Sequence, residues 1–250
     1  MDPQEIGEDE VPSHRMPPEE AHEKLTGLRI YARSYWDAQK HRIKVGNRAF
    51  SGVTDIETIK DIKNSAKNTE TLLSKALVAN FKEEFPDIFE WVKNTAGLGP
   101  VLMARLLGEI GHPNWAFPSH WEGSGETRKL ISDPPYRRNV AKLWAYCGHG
   151  DPERKAKKGM TDKEVYAMGN RKAKMLVHLL AESCMKLPGG NGRVRSPYRD
   201  VYDAYRAKYE DRVDKDTGKP WPDGRKHNAA LRVVGKEILL NLWELSERTI

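Results

Sequence analysis

Apolar residues recur at three- and four-residue intervals along two long stretches near the start of the chain, and this spacing constrains the fold more than any other feature. The stretches cover residues 25–43 and 56–81. Such spacing places the apolar side chains on one face of an α-helix. We therefore predict two long amphipathic helices, the first ending near Gly46 or Gly52 and the second capped by Thr54.

A short glycine-containing link joins the two predicted helices, which favours an antiparallel helical hairpin. Polar residues, among them Lys63, Glu70 and Asn80, interrupt the apolar stripes and keep them narrow. A narrow stripe is typical of a protruding coiled arm, and such an arm is a candidate homodimer interface. We divide the chain into a disordered acidic tail (1–18), the arm (19–82) and a helical nucleic-acid-binding domain (83–250).

The rest of the chain also shows helical rather than alternating apolar patterns, so we predict an all-α protein. Residues 112–133 are rich in Pro, Gly, Ser and Trp, which predicts a loop or lid. Thr161 and Glu164 have the spacing of a capping box at the start of a helix. The helical patterns cover a short segment around residues 88–92 and then residues 140–146, 162–185, 197–209 and 227–246.

The charge of the chain is distributed unevenly. Its 250 residues have a formal net charge of +6, although residues 1–25 hold eight acidic residues against two basic ones. A basic body suits a polyanionic partner such as nucleic acid, but it also occurs in proteins that bind none. No apolar run is long enough to cross a membrane, and two cysteines without a secretory leader favour a cytoplasmic location.

Residues 95–111 read TAGLGPVLMARLLGEIG, so two glycines and a proline interrupt an otherwise helical pattern. This order is typical of a helix-hairpin-helix, in which Gly97 and Gly99 allow the turn and Pro100 opens the next helix. Backbone N–H groups at a helix N-terminus can bind a phosphate, which makes the turn a candidate phosphate site. The alternative is a tight interhelical turn that binds nothing.

Basic residues cluster in predicted loops and first helical turns, where their charge stays exposed. Cations in a first turn oppose the helix dipole, so helix stability does not explain them and contact with phosphates would. The alternative for each of them is ordinary solvated surface. The predicted nucleic-acid-binding residues are Gly97, Gly99, Arg105, Arg137, Arg138, Arg154, Lys155, Lys157, Lys158, Asn170, Arg171, Lys172, Lys174, Arg193, Arg195, Arg225, Lys226 and His227.

Aromatic residues in the predicted 112–133 loop are candidates for stacking on unpaired bases, and core packing is the alternative for them. These residues are Trp115, Phe117 and Trp121. A second aromatic group, the tyrosines at positions 198, 202, 205 and 209, falls on one helical face. That arrangement favours core packing over base stacking.

The chain offers no recognisable metal or catalytic constellation. Cys147, His149, His178 and Cys184 match the spacing of no common zinc module. The acidic residues at positions 109, 133, 151 and 153 are scattered, without the pairing that a carboxylate nuclease needs. We therefore expect no metal, no cofactor and no catalytic residue.

The order of four segments in the second half of the chain supports a resemblance to a known family. Residues from about 90 to 245, with the glycine turn and these segments, resemble the C-terminal half of the transposases of the bridge-RNA insertion-sequence family. Those enzymes join a DEDD nuclease domain to a domain with a catalytic serine, so the resemblance implies nucleic-acid binding. The segments are VAKLWAYCGHGDPERKAKKGM, MGNRKAKMLVHLLAESCM, SPYRDVYDAYRAKYE and GRKHNAALRVVGKEILLNLWEL.

The chain departs from that family at both catalytic centres. The position of the family's catalytic serine falls at Lys158, and a lysine cannot form the phosphoserine intermediate of that reaction. The first 90 residues are a tail and a helical hairpin, without a DEDD domain to gather carboxylates around two metal ions. We therefore expect a binding protein and no enzyme.

The architecture, a helical hairpin followed by a glycine-turn helical domain, resembles the Nop domain of box C/D ribonucleoproteins. That domain binds a structured guide RNA and dimerises through its coiled arm. The chain is also similar to the nuclease-less Tas proteins of tandem interspaced guide RNA systems of prokaryotes and their viruses. These resemblances imply an RNA-guided DNA-targeting protein with a guide RNA, a target DNA and a homodimer, and with room for a nuclease supplied in trans.

Two other functions stay open from the sequence. The first is a transposase or recombinase of the insertion-sequence family that uses a displaced nucleophile such as Ser132 or Ser183. The second is an architectural helix-hairpin-helix protein that binds duplex DNA of any sequence without RNA.

Overall fold

The computed structural model describes residues 17–50, 56–151, 157–161, 164–165, 167–190 and 192–250, and most of them are helical. The helices are α1 (Pro18–Phe50), α2 (Ile56–Glu84), α3 (Pro86–Asn94), α4 (Pro100–Ile110), α5 (Val140–Tyr146), α6 (Arg171–Met185), α7 (Tyr198–Lys208) and α8 (Asp223–Thr249). The mostly helical fold class is thus confirmed. The predicted acidic tail, apart from its last two residues, and the predicted cap Thr54 lie outside the described residues.

Within the described part of the chain, three short antiparallel pairs of strands accompany the helices. The pairs join β1 (Trp115–Ala116) to β4 (Tyr136–Arg137), β2 (Ser119–Glu122) to β3 (Lys129–Ser132), and β5 (Pro188–Gly190) to β6 (Arg193–Arg195). The segment 112–133, predicted as a loop, therefore contains a β-hairpin. Every residue of β2 and β3 is exposed, so no apolar alternation marks these strands in the sequence.

Helices α1 and α2 run antiparallel against each other. Lys24 pairs with Glu84 at 3.2 Å near one end, and the Tyr35 hydroxyl donates to Glu70 at 3.3 Å further along. Beyond Tyr35 on α1 and before Leu73 on α2, the buried residues among those described are Val45 and Ala66. The distal half of this pair is therefore a two-helix arm with little core of its own.

The near half of the pair belongs to the main hydrophobic core. Leu25 and Leu28 of α1 and Phe81 of α2 are completely buried in the same cluster as residues of α3, α4, α6 and α8. Helix α4 lies at the centre, where it contacts α1, α2, α3 and α6, while α8 packs on α3, α5, α6 and α7. This packing brings α1, α4 and α6 together at one surface of the protein.

The helix predicted across residues 162–185 is interrupted. The capping box at its start is confirmed, because Thr161 N–H donates to Glu164 at 2.7 Å and Glu164 N–H donates to the Thr161 hydroxyl at 3.3 Å. The chain then turns at Gly169, whose φ is +103°, and α6 begins after Asn170. A right-handed helix needs a negative φ, so the helix does not continue through Gly169, and glycine is the residue that adopts this positive φ most readily.

No helix within the described ranges is both long and apolar enough to cross a membrane.

Candidate nucleic-acid interface

Helix α1 crosses α4 very closely at Gly108. A Cβ atom added there would lie 3.0 Å from the Ala32 Cβ and 3.1 Å from the Arg29 Cα. The Arg29 Nε also donates a hydrogen bond of 2.7 Å to the Gly108 carbonyl. The crossing therefore holds Arg29, and with it Arg33 one helical turn later, beside the α4 surface.

Arg105 of α4 presents a buried cation at this crossing. Its residue is 6 % exposed, and its guanidinium carbon lies 5.0 Å from the centre of the Tyr35 ring and 4.9 Å from that of the Trp36 ring. Burial lowers its pKa, but a guanidinium stays charged at neutral pH. Among the described residues, none accepts a hydrogen bond from this guanidinium. No nitrogen of Arg105 is among the fully buried unpartnered polar atoms of the described residues, so an acceptor in the adjoining cavity can reach the guanidinium.

The start of α6 completes the surface. The Asn170 side-chain oxygen accepts from the N–H groups of Lys172 and Ala173, and its amide donates to Glu109 of α4 at 2.8 Å. This bridge fixes the first turn of α6 beside α4. Lys172 then places its ammonium group 4.0 Å from the Glu109 carboxylate.

One open cavity joins these groups, and we call its four cations the basic junction. They come from three helices: Arg29 and Arg33 from α1, Arg105 from α4, and Lys172 from α6. Glu109 is the one acidic residue among the described residues that line this cavity. Four cations thus face a single carboxylate, an excess of positive charge that attracts a polyanion.

A second cavity adjoins the first turn of α6. It is lined by Gly148, Gly150 and residues 167–169, by the acidic residue Asp151, and by the exposed side chains of Arg171 and Lys174. Asn170 lines this cavity and contacts Glu109 of the basic junction, so the two cavities are neighbours. The positive surface therefore extends past a single anion site.

The structure brings together five of the predicted binding residues: Arg105, Asn170, Arg171, Lys172 and Lys174. Sequence reasoning missed Arg29 and Arg33, because the segment that contains them was assigned to the arm alone. Their four-residue spacing on either side of the small Ala32 was the available signal, since such residues share one helix face.

Several other predicted cations form ion pairs or hydrogen bonds with other side chains of this protein. Arg195 pairs with Asp200 and Asp203, and Arg137 pairs with Glu247. In the last basic cluster, Arg225 pairs with Asp214, Lys226 pairs with Glu210, and His227 hydrogen-bonds the Tyr202 hydroxyl. The Arg225 hydrogen bond lowers the Asp214 pKa to about 2. Carboxylates of the same chain therefore neutralise most of this charge.

Arg138 and Gly97 have structural roles. Arg138 is 7 % exposed and its guanidinium lies 4.9 Å from the Tyr146 ring centre, where burial lowers its pKa. Gly97 has φ +98°, and a Cβ there would lie 2.6 Å from the Cys184 Cα. The glycine is therefore needed for the turn to pack on α6. Gly99 is the N-cap of α4, and a Cβ there would meet open space.

The remaining predicted residues differ in what the structure describes. Lys157 and Lys158 are exposed. Arg154, Lys155 and the side chain of Arg193 lie outside the described residues. Of the aromatic candidates, Trp121 is 57 % exposed with Arg128 over its ring, whereas Phe117 stacks on His22 and Trp115 is half-buried.

Both cysteines are free and buried, and burial raises the pKa of the Cys147 thiol to about 12. His149 is also buried, and its Nδ1–H donates to the Cys147 carbonyl at 2.8 Å. Within the described part of the chain, no three His, Cys, Asp or Glu residues are placed to hold a metal ion.

Comparison with protein families, with curated proteins and with solved structures gave no match to this chain. The function is therefore inferred from the geometry of the basic junction and its neighbouring cavity.

Proposed function

We propose that this chain binds RNA through the basic junction and the adjoining start of α6. The observation that carries the proposal is Arg105, a buried guanidinium without a hydrogen-bond acceptor among the described residues, in a cavity that it shares with Arg29, Arg33 and Lys172. A phosphate oxygen supplies the acceptor that this guanidinium lacks, in a charge-assisted hydrogen bond.

A polymer of phosphates fits this surface better than one small anion. Arg171 and Lys174 continue the positive charge into the neighbouring cavity, so successive phosphates of one chain would have successive partners. Such contacts release counterions, and they make affinity fall steeply with salt.

The finer proposal is that the RNA is a guide. It rests on the ordered segments that resemble the insertion-sequence transposases and on the architecture that resembles the Nop domain. Base pairing of the guide would then select a target DNA, and the protein would supply a charged surface. With a lysine at position 158 in place of the transposase serine, the protein itself would perform no strand exchange.

We further propose that the arm forms a homodimer. In the described part of its distal half, beyond Tyr35 on α1 and before Leu73 on α2, three large apolar side chains are solvent-exposed: Ile43 at 47 %, Ile62 at 45 % and Leu72 at 70 %. A second copy of the arm would remove them from water, which favours association.

The proposal is tested by expressing the full chain beside its own flanking DNA and sequencing the nucleic acid that co-purifies. We expect a discrete RNase-sensitive RNA. The variant Arg33→Glu should weaken binding of that RNA about tenfold or more and reduce the slope of log K against log salt by at least about one.

Arg248→Glu is the matched control, because Arg248 is exposed in the last turn of α8 and the reversal changes the net charge equally. An equal loss from both variants would show that only net charge matters and would contradict a specific junction. Purification without RNA, together with binding of any duplex DNA, would replace the proposal by an architectural DNA-binding function.

A further inference from the structure

A groove lies on the other side of Arg105 from the basic junction. Helix α1 contributes Tyr35 and Trp36 to its lining, α4 contributes Leu102 and Arg105, and α6 contributes Met175 and Leu179. The aliphatic members of this set are all partly exposed. The groove therefore combines an apolar surface with the aromatic and cationic one around Arg105, and at its α6 end it also has the charged residues Glu182 and Lys186.

The groove and the cavity of the basic junction share two lining residues. Arg105 and Trp36 line both spaces, so the Arg105 guanidinium separates a cavity rich in cations from one rich in apolar side chains. A nucleotide is divided in the same way, because its charged phosphate is joined through the sugar to a flat base whose two faces are apolar. The arrangement of charge around Arg105 thus matches one nucleotide.

We propose that this groove holds the base of one unpaired RNA nucleotide, whose phosphate lies at the basic junction. The inference rests on the proposed RNA-binding function and deepens it, because it specifies a single-stranded or bulged position in the RNA. Bases that have left the helical stack are the ones that proteins hold on aromatic rings and on arginine guanidinium groups. A paired base is stacked in its helix and cannot enter the groove.

The Trp36 indole N–H supports a polar occupant of this region. Its Nε1 is buried and has no hydrogen-bond partner among the residues that the structure describes. A purely aliphatic occupant would leave both this donor and the Arg105 guanidinium without an acceptor, at a free-energy cost. A nucleotide carries acceptors on its base, sugar and phosphate.

The test fills the groove with a larger side chain of the protein itself. In the full-length variants Met175→Trp and Leu179→Trp, the added ring occupies the space proposed for the base. Val213→Trp is the control, because Val213 is 52 % exposed and lies outside the groove. Thermal unfolding followed by circular dichroism identifies any variant that fails to fold, and the second groove variant then carries the test.

The probes are two versions of the co-purified RNA, one with its unpaired nucleotides and one in which they are base-paired by complementary substitutions. We expect each folded groove variant to lose about tenfold in affinity for the first RNA, a typical effect of losing one stacked base, and little for the second. The salt slope should stay unchanged, because the phosphate contacts remain. The control variant should bind both RNAs as the unmodified protein does.

A fluorescent probe gives an independent readout. With 2-aminopurine placed in turn at each unpaired position, one position should show changed emission on binding, and the change should disappear in the groove variants. Salt-dependent binding of both RNAs with equal affinity, unaffected by either groove variant, would overturn the inference while leaving the proposed function intact. Cross-linking of the groove to a protein partner in place of RNA would also overturn it.

Discussion

Glycine residues set how closely the helices of this protein approach one another. Gly108 allows α4 to lie against Ala32 and Arg29 of α1. Gly235 has the same role in α8, where a Cβ would lie 2.7 Å from the Val177 side chain and 3.0 Å from the His149 Nε2. Both glycines have ordinary helical surroundings in sequence, so their function depends on what packs opposite them.

We predict that Gly108→Val destabilises the protein by about 1–3 kcal/mol, because the added side chain must push α1 and α4 apart. Urea unfolding followed by circular dichroism measures the change. Gly46→Val is the matched control, since Gly46 is also within a helix but has open space around its Cβ position. Equal losses from the two variants would show that helix propensity alone is responsible.

His149 makes the stability of the fold depend on pH. Burial and, to a smaller extent, the positive charges of Arg232 and Lys174 together lower its pKa to about 4, although the hydrogen bond to the Cys147 carbonyl opposes them. In the unfolded chain the pKa is about 6.5. Between these two values the unfolded state binds more protons, so stability is complete above about pH 6.5 and declines as the pH falls towards 4.

We predict that the free energy of unfolding falls by about 2 kcal/mol between pH 7 and pH 5 because of this histidine. The measurement is urea unfolding at a series of pH values for the unmodified protein and for His149→Gln. The difference between the two curves isolates His149 from the other titrating groups. Parallel curves would show that His149 does not titrate in this window.

At the scale of elements, the start of α6 decides where the functional surface lies. Gly169 ends one helical segment, and Asn170 caps the next one while bridging to Glu109 of α4. These two residues place Lys172 beside α4 and leave Arg171 and Lys174 on the neighbouring cavity. A continuous helix from residue 162 would have placed these side chains differently, because each added residue turns a helix by 100°.

The arm yields a prediction about assembly. The double variant Ile62→Glu and Leu72→Glu should convert a dimer into a monomer, because it places charges on the exposed apolar surface that a second arm would cover. Sedimentation equilibrium measures the mass. Ile30→Glu is the control, since Ile30 is 66 % exposed but lies in the near half of α1. A monomeric unmodified protein would contradict the proposed dimer.

At the scale of the whole molecule, tertiary structure sorts the basic residues into two groups. One group is neutralised by carboxylates that are distant in sequence, as in the pair of Arg137 with Glu247 and that of Lys226 with Glu210. The other group, the basic junction, has one carboxylate for four cations. The candidate interface is therefore defined by an excess of cations over carboxylates in one cavity.

Much of the fold could be predicted, because it depends on local patterns. The apolar periodicity indicated the long helices, and the Thr161–Glu164 capping box forms as expected. The hairpin of β2 and β3 escaped prediction, since its exposed residues show no alternation. Within the candidate site, Lys172 and Arg105 could be identified as basic residues, but the residues adjacent to them in sequence do not indicate that the two lie close together.

The sequence by itself determined the helical class and the approximate position of most helices, because caps, glycines and apolar spacing act within a few residues. Only the tertiary structure decided which side chains meet. The junction depends on a close crossing at Gly108 and on Arg29, which are 79 residues apart in the chain. Long-range packing and ion pairing bring such residues together, and neither leaves a periodic signal in the sequence.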